Sequence, residues 1–170
     1  MSDPAQAKVV LAIHFNSRGF GFVLCDRPLS VLDWGAAEAR GPEKVEKING
    51  RVRDLFERYA PDFVVLQDTS YTGTPRPHWI RQLNKRASAM AEEQGFETLF
   101  FSQEAIRRCF KYLDSITKQR IAVEIGKRIP GLQRLVPVPR KSWKSEQSRM
   151  GIFDAAGLAL AFYTTDGDIL

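Results

Sequence analysis

Cysteine, histidine and long apolar runs are all scarce in this chain, and each scarcity excludes something. The two cysteines, Cys25 and Cys109, lie far apart, with no CxxC pair and no histidine at zinc spacing. Neither a disulfide framework nor a zinc finger is written here, and both thiols are expected to be reduced and packed. No apolar run approaches the ~18 residues that a membrane span requires, so no membrane partner is expected. The N-terminus, MSDPAQAK, has neither a basic start nor an apolar core of the kind a secretory signal carries, and cytoplasmic residence is the expectation. There is no internal repeat and no low-complexity segment.

Acidic residues are also scarce, but only locally. From Gln103 to Arg149 there are twelve Lys and Arg against four Asp and Glu, while the rest of the chain has thirteen against sixteen. The net charge of +5 therefore comes from one stretch. A one-sided basic region suits a polyanion partner, and it also suits a solvated helix face. What is present is otherwise ordinary: 170 residues, 44% hydrophobic and 26% charged, enough to bury one substantial core. One domain over residues 1–170 is expected.

Periodicity supplies the elements. Val9 to Asn16 and Gly19 to Asp26 read as two strands around the turn Asn16, Ser17, Arg18 and Gly19, with a third strand over Ser30 to Ala37. Val9 to Ile13 is apolar at every position, the pattern of a strand covered on both faces, and His14 is the first polar side chain to break it. A helix follows over Pro42 to Tyr59, with Val45, Ile48, Val52, Leu55 and Phe56 at helical spacing. PDFVVLQD predicts a buried strand over Phe63 to Asp68, Trp79 to Gln94 a second helix, and FETLFF a fifth strand. The basic stretch holds a short segment, Ile106 to Tyr112, and a helix over Ser115 to Ile129. A closing helix is expected over Ser145 to Tyr163.

This order, β-β-β-α-β-α-β-α-α, is that of the RNase H-like fold: a mixed five-stranded sheet, three antiparallel strands and then parallel ones, with helices on both faces. Three local stretches narrow the resemblance to the RuvC Holliday-junction resolvases. IHFNSRGFGFVL resembles that family's first hairpin, in which a strand ends in an acid and a Gly-aromatic-Gly strand returns. PDFVVLQD resembles its next signature strand, an apolar run ending in a carboxylate. FDAAGLALAF resembles its closing helix. The resemblance implies four acidic side chains converging at the edge of the sheet to hold two Mg²⁺ ions. Such ions prefer charged oxygen ligands, and ~3.5–4 Å apart they activate the attacking water and stabilise the leaving oxygen of an in-line displacement. It further implies a homodimer, because a four-way junction has two-fold symmetry. An ATPase of the actin and sugar-kinase branch is disfavoured, since HFNSRGFGF lacks that branch's acid and its phosphate-hairpin threonine.

Residue by residue, the chain departs from the pattern. His14 stands where the first acid belongs and Gln67 where the second does. Asp68 is Gln67's neighbour, but adjacent strand residues point to opposite faces, so it replaces that acid only across a bulge or at a strand end. Asp154 matches one acid of the closing helix, and its partner is Gly151 or Gly157. Three readings stay open. The first is a RuvC-like protein that binds branched or distorted DNA, with metal-dependent cleavage weak or lost. The second is an endonuclease with a rearranged site built from His14, Asp68, Glu146 and Asp154, in which an imidazole ligand shifts the preference from Mg²⁺ toward Mn²⁺. The third is a structural or regulatory protein on the same fold.

Candidate nucleic-acid contacts, DNA being favoured over RNA, are Arg18 in the first turn and Arg76 and Trp79 after the second signature strand. Lys118 and Arg120 on the basic helix join them, as do Arg140, Lys141, Trp143 and Lys144. Cations there would neutralise phosphates and an indole would stack on a base. The competing reading of Trp79 and Trp143 is that they anchor their segments to the core.

Overall fold

The computed structural model describes residues 7–70, 76–139, 141 and 148–165. Five strands form one mixed sheet: β1 (Val10–Phe15), β2 (Gly19–Arg27), β3 (Ser30–Glu38), β4 (Phe63–Gln67) and β5 (Glu97–Phe101). Their order is β3-β2-β1-β4-β5. β1, β2 and β3 pair antiparallel, whereas β4 runs parallel to both β1 and β5. The first two strands and the mixed sheet are as the sequence predicts.

Alternation along the strands sorts the core into two layers. Val10, Ala12, Val23, Cys25 and Val65 face helix α5 (Met150–Thr165) and helix α4 (Lys118–Arg128). Leu11, Ile13, Phe15, Val64 and Leu66 face helices α1 (Lys44–Tyr59) and α2 (His78–Glu93). All six residues of β1 are buried, the outcome expected of a strand covered on both sides.

Helix boundaries follow their capping chemistry. Gly41, at φ 90, turns the chain ahead of α1, so that helix starts at Lys44 rather than at Pro42. Pro77 immediately precedes α2. In the basic stretch the short helix is α3 (Gln103–Arg108), earlier than the Ile106 to Tyr112 segment, because the Ser102 hydroxyl accepts from Ala105 N. α4 begins at Lys118 rather than Ser115, because the Thr117 hydroxyl accepts from Arg120 N at 3.1 Å. Ser148 and Arg149 form a turn, so α5 begins at Met150 and not near Ser145. Among the described residues no helix is long and apolar enough to cross a membrane.

Candidate functional site

The two residues that stand at signature positions lie at the C-terminal ends of the parallel pair, His14 next to last in β1 and Gln67 last in β4. Register pairs Ile13 with Leu66, so His14 and Gln67 follow as the next residue of each strand. Both share strand parity with residues of the α5 face, Ala12 and Val65. They come together there, and the Gln67 side chain favours the protonated form of His14. From the opposite face, buried Asn84 on α2 donates through Nδ2 to the Gln67 carbonyl at 2.7 Å, which fixes the end of β4.

α5 brings the third member. Its 16 residues, MGIFDAAGLALAFYTT, are apolar almost throughout, and Asp154 is the one charged side chain among them. The Asp154 carboxylate is only 10% exposed, and its Oδ2 lies 3.7 Å from His14 Nδ1 and 3.4 Å from Lys118 Nζ. Lys118 is the first residue of α4, so the Thr117 cap sets where its ammonium can reach. Arg76, just ahead of α2, donates through Nη2 to the Phe15 carbonyl, and its charge bears on His14.

Burial dominates the behaviour of His14, which is 3% exposed. Desolvation pushes its pKa down to about 4; Asp154 opposes the shift, the Arg76 and Lys118 charges reinforce it, and the Gln67 side chain again opposes it. The imidazole is neutral at pH 7. Its Nδ1 is buried and has no hydrogen-bond partner among the described residues, since 3.7 Å to Asp154 exceeds hydrogen-bonding range.

The other candidates fall elsewhere. β4 ends at Gln67, so Asp68 does lie past the strand end, yet its carboxylate does not join Asp154. It accepts from Ser70 N at 2.9 Å and Ser70 Oγ at 2.6 Å, and it lines an open groove of about 690 Å³ against α2, with Arg81, Lys85 and exposed Phe100. Of the two glycines, Gly151 is the one beside the site. It packs on Gly21, the register partner of His14, and a Cβ on Gly151 would stand 2.8 Å from Asn16 Nδ2. Gly157 instead meets Ile106 of α3, where a Cβ would lie 3.0 Å away. A side chain at Gly151 would have to displace the end of Asn16, and one at Gly157 would press on Ile106.

Among the proposed nucleic-acid contacts, Arg18 is half exposed and pairs with Glu38 at 3.7 Å. Trp79 packs against the core, with the Lys44 ammonium 4.4 Å from its ring centroid. Arg120 and Lys141 are exposed. Glu146, Arg140, Trp143 and Lys144 lie outside the described residues. Sequence reasoning missed Asn84, although a polar residue inside the apolar row Ile80, Leu83 and Ala87 of α2 is a legible signal. It also missed that Lys118 pairs with Asp154.

No protein-family model matches the chain, and no curated protein sequence matches it. Solved structures do. Thermus thermophilus RuvC superimposes at a TM-score of 0.66 with 19% identity, covering 94% of this chain and 97% of that one. Thermus thermophilus RuvC in complex with Holliday junction substrate gives 0.64 with 20% identity, covering 95% and 97%. The yeast mitochondrial Holliday junction resolvase Ydc2 gives 0.62 with 13% identity, covering 98% and 82%. The chain has the RuvC fold.

The metal pair that a RuvC-type site implies does not fit the described residues at this edge. Among them the donors are one carboxylate, one amide and one neutral imidazole, and an ammonium stands 3.4 Å from the carboxylate. A hard divalent ion needs several charged oxygens to offset its dehydration. Among the described residues no group of three or more His, Cys, Asp and Glu could hold a metal ion. What the constellation can do chemically is different: a cation paired to a recessed carboxylate, beside a guanidinium, presents positive charge and hydrogen-bond donors at a strand edge.

Proposed function

We propose that this chain is a RuvC-type nucleic-acid-binding protein that recognises branched or distorted DNA, with divalent-metal-dependent phosphodiester cleavage weak or lost. One observation carries the reading. At the strand ends where a metal-holding acidic cluster belongs on this fold, His14, Gln67 and Asp154 converge, and Asp154 is occupied by Lys118. A basic second half and exposed Arg120 and Lys141 support a phosphate-rich partner. The two-fold symmetry of a four-way junction implies a homodimer as the binding form.

A second reading keeps cleavage: the 3.7 Å approach of His14 to Asp154 would be the core of a rearranged endonuclease site preferring Mn²⁺. Binding and nicking of a labelled four-way DNA junction, against duplex and single strand, in Mg²⁺, Mn²⁺ and EDTA, separates the two. Junction-selective, salt-sensitive binding without nicking is the expected result. Metal-dependent nicking that disappears in Asp154→Asn would establish the endonuclease instead, and no salt-sensitive binding to any of the three DNAs would overturn both.

A further inference from the structure

The end of β3 and the outer face of α1 enclose an open groove of about 680 Å³, apart from the site at the ends of β1 and β4. Arg40, Lys47, Arg51 and Arg53 line it against two acids, Glu38 and Asp54. Glu38 is taken by Arg18 at 3.7 Å. Arg53 reaches Met90 Sδ at 3.9 Å, and among the described residues no ion pair or hydrogen bond engages the side chains of Arg40, Lys47 or Arg51. Exposed cations gathered in this way repel one another, and a polyanion relieves that repulsion.

Gly50 lies among them on α1, and a Cβ added there would meet nothing within 4 Å. A glycine inside a helix is less stable than alanine, and no packing contact requires one at this position. Its effect is to leave the helix backbone bare where the groove runs, open to close approach by a bulky partner.

Register relates the groove to the strand-end site. His14 stands level with Gly21 on β2 and Gly21 with Ala36 on β3, so Glu38 and Arg40 lie toward the same end of the sheet. Neighbouring strands are ~4.8 Å apart, which puts β3 roughly 10 Å from β1, the rise of about three phosphates along one strand of a duplex. The first hairpin turn fastens both walls: Ala39 N donates to the Arg18 carbonyl at 3.1 Å, and Lys44 Nζ donates to the Ser17 carbonyl. The lining holds no large apolar side chain. A protein-binding surface centres on apolar and aromatic anchors, whereas a phosphate backbone is held by cations on a polar, wet surface.

We infer that this groove is a second nucleic-acid contact surface, taking the sugar–phosphate backbone of an arm that runs on past the strand-end site, with Arg40, Lys47 and Arg51 on phosphates and Gly50 giving them room. That the polyanion is nucleic acid rests on the proposed function; the cationic groove does not.

Anisotropy of a labelled four-way junction and of duplex DNA across a salt series tests it. Lys47→Gln and Arg51→Gln are each expected to weaken binding about three- to tenfold and to lower the salt slope by about one. Lys8→Gln makes the same change in net charge ahead of β1, at the opposite end of the sheet, and is expected to leave affinity within about 1.5-fold. Gly50→Gln fills the groove without removing a cation. Its affinity is expected to fall at least about threefold at an unchanged slope, while the urea midpoint does not fall, because the new Cβ enters open space.

Equal losses in Lys8→Gln and the groove variants would make the effect one of net charge and overturn the groove. Unchanged affinity in Gly50→Gln would overturn the close approach to α1. Poly-L-glutamate binding more tightly than duplex DNA of matched charge would overturn the nucleic-acid assignment in favour of an acidic protein segment. Wild-type protein that binds no DNA at any salt overturns the proposed function itself, whereas wild-type binding untouched by every groove variant overturns this surface alone.

Discussion

The carbonyl of Gly151 occupies the space that a Cβ on Gly21 would need. This contact between β2 and the first turn of α5 presses the helix onto the strand beside His14, the register partner of Gly21. Gly21→Ala would force backbone against backbone, whereas a Cβ on Gly151 would first meet the end of the Asn16 side chain at 2.8 Å. Overpacking of this kind costs roughly 1–3 kcal/mol or more. Gly21→Ala is therefore expected to lower the midpoint of urea unfolding more than Gly151→Ala does, and the reverse order would mean that the helix is free to move away from β2.

The buried imidazole makes stability depend on pH in a definite direction. His14 has a folded pKa of about 4 against an ordinary value of 6.5. Between these values the unfolded chain binds the proton and the folded chain does not, so stability falls as pH drops from about 6.5 to about 4 and is level above that window. The full effect is up to about 3 kcal/mol. Urea melts between pH 4 and pH 7.5 should show this slope, and His14→Gln should flatten it; an unchanged slope in the variant would assign the effect to other groups.

Asn84 is expected to act through the strand end rather than through solvent. Its Nδ2 holds the Gln67 carbonyl at 2.7 Å within the α2 layer. Asn84→Leu leaves that carbonyl unsatisfied, at a cost of about 1–3 kcal/mol. Thermal unfolding measures the loss, and the His14 ring resonances in NMR should shift because Gln67 is no longer fixed. Unchanged stability would mean that water replaces the amide.

Asp154→Asn removes the Asp154 charge while keeping the side chain's shape. On the proposed reading, junction affinity in EDTA rises by about two- to tenfold, since the Asp154 carboxylate beside Lys118 no longer repels a phosphate. Fluorescence anisotropy across a salt series would show it. A drop in affinity would mean that Asp154 orients Lys118 more than it neutralises it.

Much of the fold was legible because it is written in local patterns. The apolar run of β1, buried at every residue, the apolar row Ile48, Val52, Leu55 and Phe56 on α1, and the unbroken apolar run of β4 each specify one element from a few neighbouring residues. The departures at His14 and Gln67 and the match at Asp154 were equally legible, since a polar residue inside an apolar run stands out without coordinates. Strand parity already argued against Asp68, and the structure turns its carboxylate to Ser70.

Sequence by itself therefore determined the elements, the RuvC-type order and which side chains occupy the signature positions. Tertiary structure alone decided what those side chains meet. That Lys118 lies on Asp154 depends on how α4 packs against α5, 36 residues apart in the chain, and on the Thr117 cap that starts α4 three residues later than its composition suggests. That Gly151 rather than Gly157 borders the site depends on which face of α5 lies on β2. Periodicity along one segment reports the face that is buried. It carries no information about which residue of another segment closes on that face, because that distance is set by the packing of the whole core.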